Sequence, residues 1–313
     1  MRQTIRARAI DGILDDVFRQ YRNYFLPLLL VSLVFMGPYA VINAMITSQL
    51  PSPDYNALLH GQSGVTQFFS QMQNPASTST LMPVLLAQML VSLLAIFLVT
   101  PLTQGSYYLI GTETLQNEKL TSVWPFVGRA VRRWGAYLAT MLLLIGLGLV
   151  AVVVLGLVVG GIALAFSGAI RGAFSGSGAG PLITIVLLLY VALICLAIWL
   201  SIRLAFVYIV VVVERKRNWG ALKRSFFLTK GSFWRIFGIW FLAGLVLMFA
   251  SFGLTAIINI FLNGTVRLLA TGLISILLAP LFHLLLANLY IDMRVRREGY
   301  DIELMATQGR DPV

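Results

Sequence analysis

Residues 233–261 read FWRIFGIWFLAGLVLMFASFGLTAIINIF, with a single charge, Arg235, near the start. A bilayer hydrocarbon core about 30 Å thick needs roughly 20 apolar residues per spanning helix, and this stretch exceeds that. Five more runs of the same character occur: Phe25–Ile46, Leu81–Ile110, Tyr137–Phe166, Leu182–Val213 and Val266–Ile291. The composition agrees, with 58% hydrophobic and 11% charged residues and a mean hydropathy of +0.86. Soluble domains carry roughly 25% charged residues. The reading is an all-α polytopic membrane protein with six transmembrane helices, residues 1–313 forming a single transmembrane domain. The surplus length of several runs permits tilt but fixes no angle.

A net charge of +11 first suggests nucleic acid, but its distribution points elsewhere. Of the 23 Lys and Arg, all but Arg171, Arg203 and Arg267 lie before span one, between spans two and three, between or beside spans four and five, or after span six. Those segments share one side of the membrane, so the positive-inside rule places both termini in the cytoplasm. The basic excess then reads as topology plus attraction to anionic headgroups, with no nucleic-acid partner. Arg129, Arg132, Arg133, Lys223, Arg224, Lys230 and Arg235 are the expected headgroup contacts. The first apolar run is too long for a signal-peptide core and lacks a clear small-x-small cleavage site, so it is expected to remain as a span.

An amphipathic stretch precedes each odd-numbered span. In the first, Ile10, Ile13, Leu14, Val17, Phe18, Tyr21 and Phe25 recur at helical spacing, opposite Asp11, Asp15, Arg19 and Arg22. In the second, Leu120, Val123, Val127, Ala130, Val131 and Trp134 form the stripe. Trp219, Leu222, Phe226 and Phe233 form a less regular third. Three such cytoplasmic helices are expected to lie in the interface, apolar face down. Together with the paired spans they suggest a threefold hairpin repeat over residues 10–113, 120–214 and 220–298. Glu113 and Glu214 follow returning spans two and four in equivalent places. Pro101 and Pro280 match likewise in spans two and six. On the opposite side, Tyr55–Leu59 and Val65–Met72 are candidate short surface helices within a long polar loop. Asn263-Gly-Thr formally matches a glycosylation sequon but reads better as a tight turn.

Arg203 is the sharpest single residue. It stands eleven positions before Glu214, about 16 Å from the cytoplasmic end of an unbroken helix. A basic residue at such depth costs roughly 2.5–3.5 kcal/mol on insertion scales and usually finds a partner. Two readings stand: an anion or lipid-phosphate contact, or a snorkelling side chain bonded to carbonyls or a neighbouring polar group. His283 and Asn288 lie in span six with Asp292 at its end. His283 has no acid within a turn and is expected to be a neutral imidazole hydrogen-bonded between helices. Arg203, His283 and Asn288 form the candidate intramembrane polar site. Asn43, Gln88 and Asn259 read as interhelical hydrogen bonds.

The glycines of span three (Gly146, Gly148, Gly156, Gly160 and Gly161) permit close helix approach, by default within the chain. Cys195 reads as a buried, small packing residue. No zinc helix or nucleophile elbow occurs, and no phosphate loop or dinucleotide fingerprint. The only carboxylate group of note, Asp11, Asp15 and Asp16, reads as a solvated helix face. No catalytic, cofactor-binding or metal-ligating set is therefore assigned, and an enzyme is not expected.

Arg203, Glu214, the stretch Gly220–Arg235 (GALKRSFFLTKGSFWR) and the ending Leu289–Asp301 (LYIDMRVRREGYD) resemble the core of a bacterial membrane-protein family. That family contains the membrane domain attached to some glycerophosphoryl diester phosphodiesterases, with many stand-alone proteins of unknown function. The match covers Arg203–Glu303; before it, only the architecture is similar. The resemblance implies a six-helix module in a bacterial inner (cytoplasmic) membrane. It offers no catalytic residues to transfer. The residues after Ile291 are too few for a barrel of about 250 residues, so phosphodiesterase activity is not expected to carry over. The expected function is a non-catalytic scaffold or accessory subunit that meets anionic lipids and a membrane-protein partner. The alternative is a small transporter or lipid-handling protein with a polar cavity around Arg203.

Overall fold

The computed structural model describes residues 10–49, 75–116, 122–165, 179–300 and 302. Every regular element among them is helical. In hydrocarbon each backbone N–H and C=O must be satisfied within the chain, and a helix does this segment by segment. The elements are α1 (Ile10–Asn23), α2 (Phe25–Thr47), α3 (Pro75–Leu94), a π-helical turn (Ala95–Val99), α4 (Thr100–Gln116), α5 (Trp124–Arg132) and α6 (Trp134–Ala165). They continue with α7 (Ala179–Leu204), α8 (Val207–Val213), α9 (Trp219–Thr229), α10 (Phe233–Phe261) and α11 (Gly264–Glu298). Among the described residues, six helical stretches are long and apolar enough to cross a membrane: Phe25–Thr47, Leu81–Leu115, Trp134–Leu157, Leu187–Val213, Phe233–Phe261 and Gly264–Glu298. They coincide with the six expected runs. Asn263 and Gly264 make the tight turn, Gly264 taking a positive φ of 58° as α11 begins. The candidate surface helices Tyr55–Leu59 and Val65–Met72 lie outside the described residues.

The chain divides into two compact units, residues 1–134 with 238–313, and residues 135–237. The first is built around α11, which packs on α1, α2 and α4. Leu284, Leu285, Ala287, Leu289, Tyr290 and Met293 fill its interior. Small residues set two of the crossings. A Cβ on Gly111 would lie 2.8 Å from the Cβ of Ala287, and one on Gly272 would lie 3.1 Å from that of Ala40. In the second unit α9 lies against α7 and α8. Val207, Ile209, Val210, Val211 and Val212 make α8 buried, and Tyr137 stacks on Tyr208 at 4.5 Å.

Two returning spans carry a proline at matching places, Pro101 and Pro280, and at the first the deprived carbonyl is compensated. Pro101 has no N–H for the carbonyl of Phe97, four residues earlier. The π-helical turn covers that stretch, and the indole Nε1 of Trp134 donates to Phe97 O at 2.8 Å. Pro280 likewise deprives Ile276 of its donor. Next to it, the Tyr21 hydroxyl donates to Leu277 O at 2.9 Å.

The short helices α1 and α9 also bury polar residues that their apolar stripes did not mark. α1 buries Ile13 and Val17 but also Asp16 and Gln20, and leaves Phe18 about half exposed. Asp16, expected on a solvated face, is paired with Arg19. α9 buries Ala221, Leu222, Ser225, Leu228 and Thr229 while Trp219 is exposed. The reason is the same in both: Gln20 and Ser225 have specific polar partners in the packed interior, and a stripe of apolar residues cannot register that. The span-three glycines show no close neighbour among the described residues. A Cβ at Gly146, Gly148, Gly156, Gly160 or Gly161 would meet nothing within 4 Å. Cys195 is exposed on α7, not buried; in a spanning helix the outward face is itself apolar.

Candidate functional site

Span four is broken where its only basic residue stands. α7 ends at Leu204, and α8 restarts after Phe206, whose φ and ψ are −98° and 1°. An unbroken helix would pair Phe206 N–H with Ile202 O and Val207 N–H with Arg203 O. Instead Ala205 N–H takes Ile202 O at 3.3 Å. Ser225 of α9 fills the gap in both directions. Its Oγ donates to Arg203 O at 2.7 Å and accepts from Phe206 N–H at 3.3 Å. A hydroxyl inserted in the ladder is one of the few physical causes of a sharp helix break, and here it keeps the freed backbone groups bonded.

The Arg203 side chain reaches over the last turn of α9. Its Nη1 donates to Phe226 O at 3.4 Å and to Thr229 Oγ1 at 3.5 Å, both at the long end for hydrogen bonds. The guanidinium lies 5.3 Å from the Trp199 ring centre and 5.9 Å from that of Phe226. The carbonyl end of a helix and two aromatic faces both favour a cation. Its Nε is buried with no partner. Snorkelling onto carbonyls and a polar neighbour thus accounts for part of the donor capacity and leaves part unused.

The other two candidate residues belong to the first unit. His283 contacts the carbonyl of Ala279 in its own helix through Nδ1 at 2.7 Å, so the expected bond between helices is not what holds it. That carbonyl can only accept, so Nδ1 carries the proton there. The ring lies 5.4 Å from both Tyr107 and Tyr108. The Tyr107 hydroxyl is 2.7 Å from Ser32 Oγ on α2. Asn288 Nδ2 donates to Gln20 Oε1 at 2.9 Å. Gln20 in turn donates to Gly111 O at 2.8 Å and to the Thr114 hydroxyl, tying α1, α4 and α11 together. Asn288 and Gln20 are both buried. Asn43 and Gln88 bond at 2.7 Å between α2 and α3, as expected. Asp292 is buried and pairs with Arg296 at 3.1 Å.

The basic residues divide into two sets. Arg129 of α5 bonds Glu113 at 2.9 Å and lies 4.7 Å from the Phe126 ring centre. Arg224 of α9 donates through Nε to both oxygens of Glu214 at 2.8 Å, with Lys216 3.1 Å away. Arg133 caps α5, and Arg235 sits half-buried at the start of α10. Arg132, Lys223 and Lys230 are exposed. The loop from Glu214 to α9 bends through positive φ at Arg215 (61°) and Asn218 (53°), where Asn218 N–H donates to Thr140 Oγ1 at 3.0 Å.

Sequence reasoning missed Gln20 and Ser32, and placed Ser225 with Thr229 only on the polar flank of its helix. For Ser225 a signal existed: a small hydroxyl residue on a face otherwise made of Ala221, Leu222 and Leu228. These features define a polytopic all-helical membrane protein whose intramembrane polar groups lie at helix contacts and at a broken span. Comparisons with protein-family models, curated proteins and solved structures found no match.

Proposed function

We propose that the chain is a non-catalytic integral membrane module, a scaffold or accessory subunit, with its termini and α1, α5 and α9 on the cytoplasmic side of a bacterial inner membrane. The observation that supports this most is how the polar side chains of the spans are used. Asn43, Gln88, Asn288 and Ser32 bond to other helices of the chain, and Ser225 closes a backbone gap. A transport path needs such groups turned to substrate. A fixed module needs them for cohesion.

The threefold hairpin repeat gains support from two similar clamps. In each, a carboxylate ending a returning span holds an arginine on the next short helix: Glu113 with Arg129, and Glu214 with Arg224. In the same stretches of sequence Arg132, Lys223 and Lys230 are exposed, as are Trp124, Trp219 and Trp234. Basic and aromatic side chains together suit the headgroup region. The resemblance over Arg203–Glu303 fits this reading without supplying a chemistry.

The test is reconstitution followed by partner identification. Phosphatidylglycerol should raise the melting temperature over phosphatidylcholine, and R132Q/K223Q/K230Q should remove most of that gain. About 1 kcal/mol per basic residue near an anionic surface sets the scale. A stoichiometric membrane-protein partner retained on gentle purification would support the accessory role. Saturable uptake of a small anion into proteoliposomes, lost in R203Q, would overturn it in favour of transport.

A further inference from the structure

We infer that Arg203 is the headgroup anchor of a tightly held anionic phospholipid whose acyl chain lies along α7. The inference stands on span four itself and does not depend on the scaffold reading. Leu196, Trp199, Leu200 and Arg203 follow one another at the i, i+3, i+4, i+7 spacing of a single helix face. The first three are 57%, 41% and 41% exposed. An apolar, outward stripe therefore ends on a guanidinium.

Burial changes abruptly at the same point. Upstream, Leu187, Leu188, Val191 and Ile194 are exposed; from Phe206 to Val212 all but Tyr208 are buried. From Ala179 to Arg203 the helix rises about 36 Å, enough to cross a hydrocarbon core of about 30 Å. Arg203 thus stands where the lipid-facing length of α7 is used up, and that is the level of a headgroup phosphate. The depth of 16 Å inferred from an unbroken span overstated its immersion, because α8 is covered by protein.

The electrostatics call for an anion. A guanidinium has five donors; here Nη1 makes two long bonds, and Nε is buried without a partner. Buried donors rarely go unpaired in native proteins. Glu214, the nearby carboxylate in sequence, is held by Arg224 and Lys216. Lys223 on α9 and Lys230 just past its end, both exposed, add positive charge beside the helix that Arg203 touches. A phosphodiester supplies acceptor oxygens in the forked geometry that arginine matches, and its acyl chain supplies what the Leu196–Leu200 stripe would cover.

The experiment uses the full chain in nanodiscs and reads quenching of Trp199 by brominated lipids, with W199F subtracting the other five tryptophans. Brominated phosphatidylglycerol should quench Trp199 at roughly tenfold lower mole fraction than brominated phosphatidylcholine, the scale of one charge-assisted contact. R203Q should abolish that preference and R203K should keep part of it. Native mass spectrometry should find one retained anionic phospholipid on the unmodified chain and none on R203Q. Equal quenching by the two lipids, or an undiminished preference in R203Q or R203K, overturns the inference. So does inorganic phosphate displacing nothing from lipid yet stabilising the chain in neutral detergent through Arg203, which would assign the site to a free anion. If R203Q does not fold, the R203K result and the retained lipid decide.

Discussion

Replacing Ser225 by alanine removes one oxygen and with it two bonds to the backbone. Arg203 O loses a 2.7 Å donor, and Phe206 N–H loses a 3.3 Å acceptor. Phe206 is 0% exposed, so water cannot readily take over. A buried polar group left unsatisfied costs about 1–3 kcal/mol. Interhelical bonds measured in membranes average about 0.6 and reach about 1.7 kcal/mol, because the unfolded chain also finds partners. S225A should therefore lower stability by about 1–3 kcal/mol, measured by reversible denaturation in mixed micelles. A second readout separates the break from general loosening: amide exchange at Phe206 and Val207 should accelerate, while exchange within α11 should not. T229V removes only a 3.5 Å contact to Arg203 besides a local back-bond, and should cost less. If S225A lay within about 0.5 kcal/mol of the parent with unchanged exchange at Phe206, the hydroxyl would not be what sustains the break.

Three other perturbations test the packing. W134F deletes the donor that satisfies Phe97 O ahead of Pro101 and should cost about 1–2 kcal/mol, read by thermal denaturation with P101A as the partner in a double-mutant cycle. Q20L and N288L each break the bond joining α1 to α11; their denaturation free energies should couple by about 0.6–1.7 kcal/mol, and strict additivity would show that the two amides do not act together. G111V inserts side-chain atoms where Ala287 already stands 2.8 Å from an ideal Cβ. A loss of about 1–3 kcal/mol is expected, and little effect in a melting assay would mean that α4 and α11 do not cross there.

Hydropathy and charge made the six spans legible, because the bilayer imposes length and polarity on every spanning helix whatever its partners. The break in span four was not legible: Arg203-Leu-Ala-Phe contains no Pro or Gly, and its cause is a side chain twenty-two positions downstream. The buried polar residues of α1 and α9 were not legible for a related reason. Gln20 and Ser225 look like surface residues until Asn288 and the Arg203 carbonyl stand opposite them. His283 illustrates the converse, for its near partner is Ala279 in the same helix, a choice between local and distant acceptors that composition cannot make. The glycines of span three were expected to mark a contact within the chain, yet small size only permits an approach and does not require one.

The first unit joins residues 1–134 to residues 238–313, and the amide of Gln20 waits for an asparagine 268 positions later. During synthesis the first hairpin therefore enters the bilayer with its bonds to α11, from Gln20 and Tyr21, still unmade, while residues 135–237 have their own neighbours at once. Contacts so distant in sequence slow folding. The early hairpin is thus the part of the nascent chain most in need of a temporary companion, whether lipid, insertase or chaperone. A ribosome stalled before α11 should leave that hairpin selectively open to cross-linking and to quality-control proteolysis.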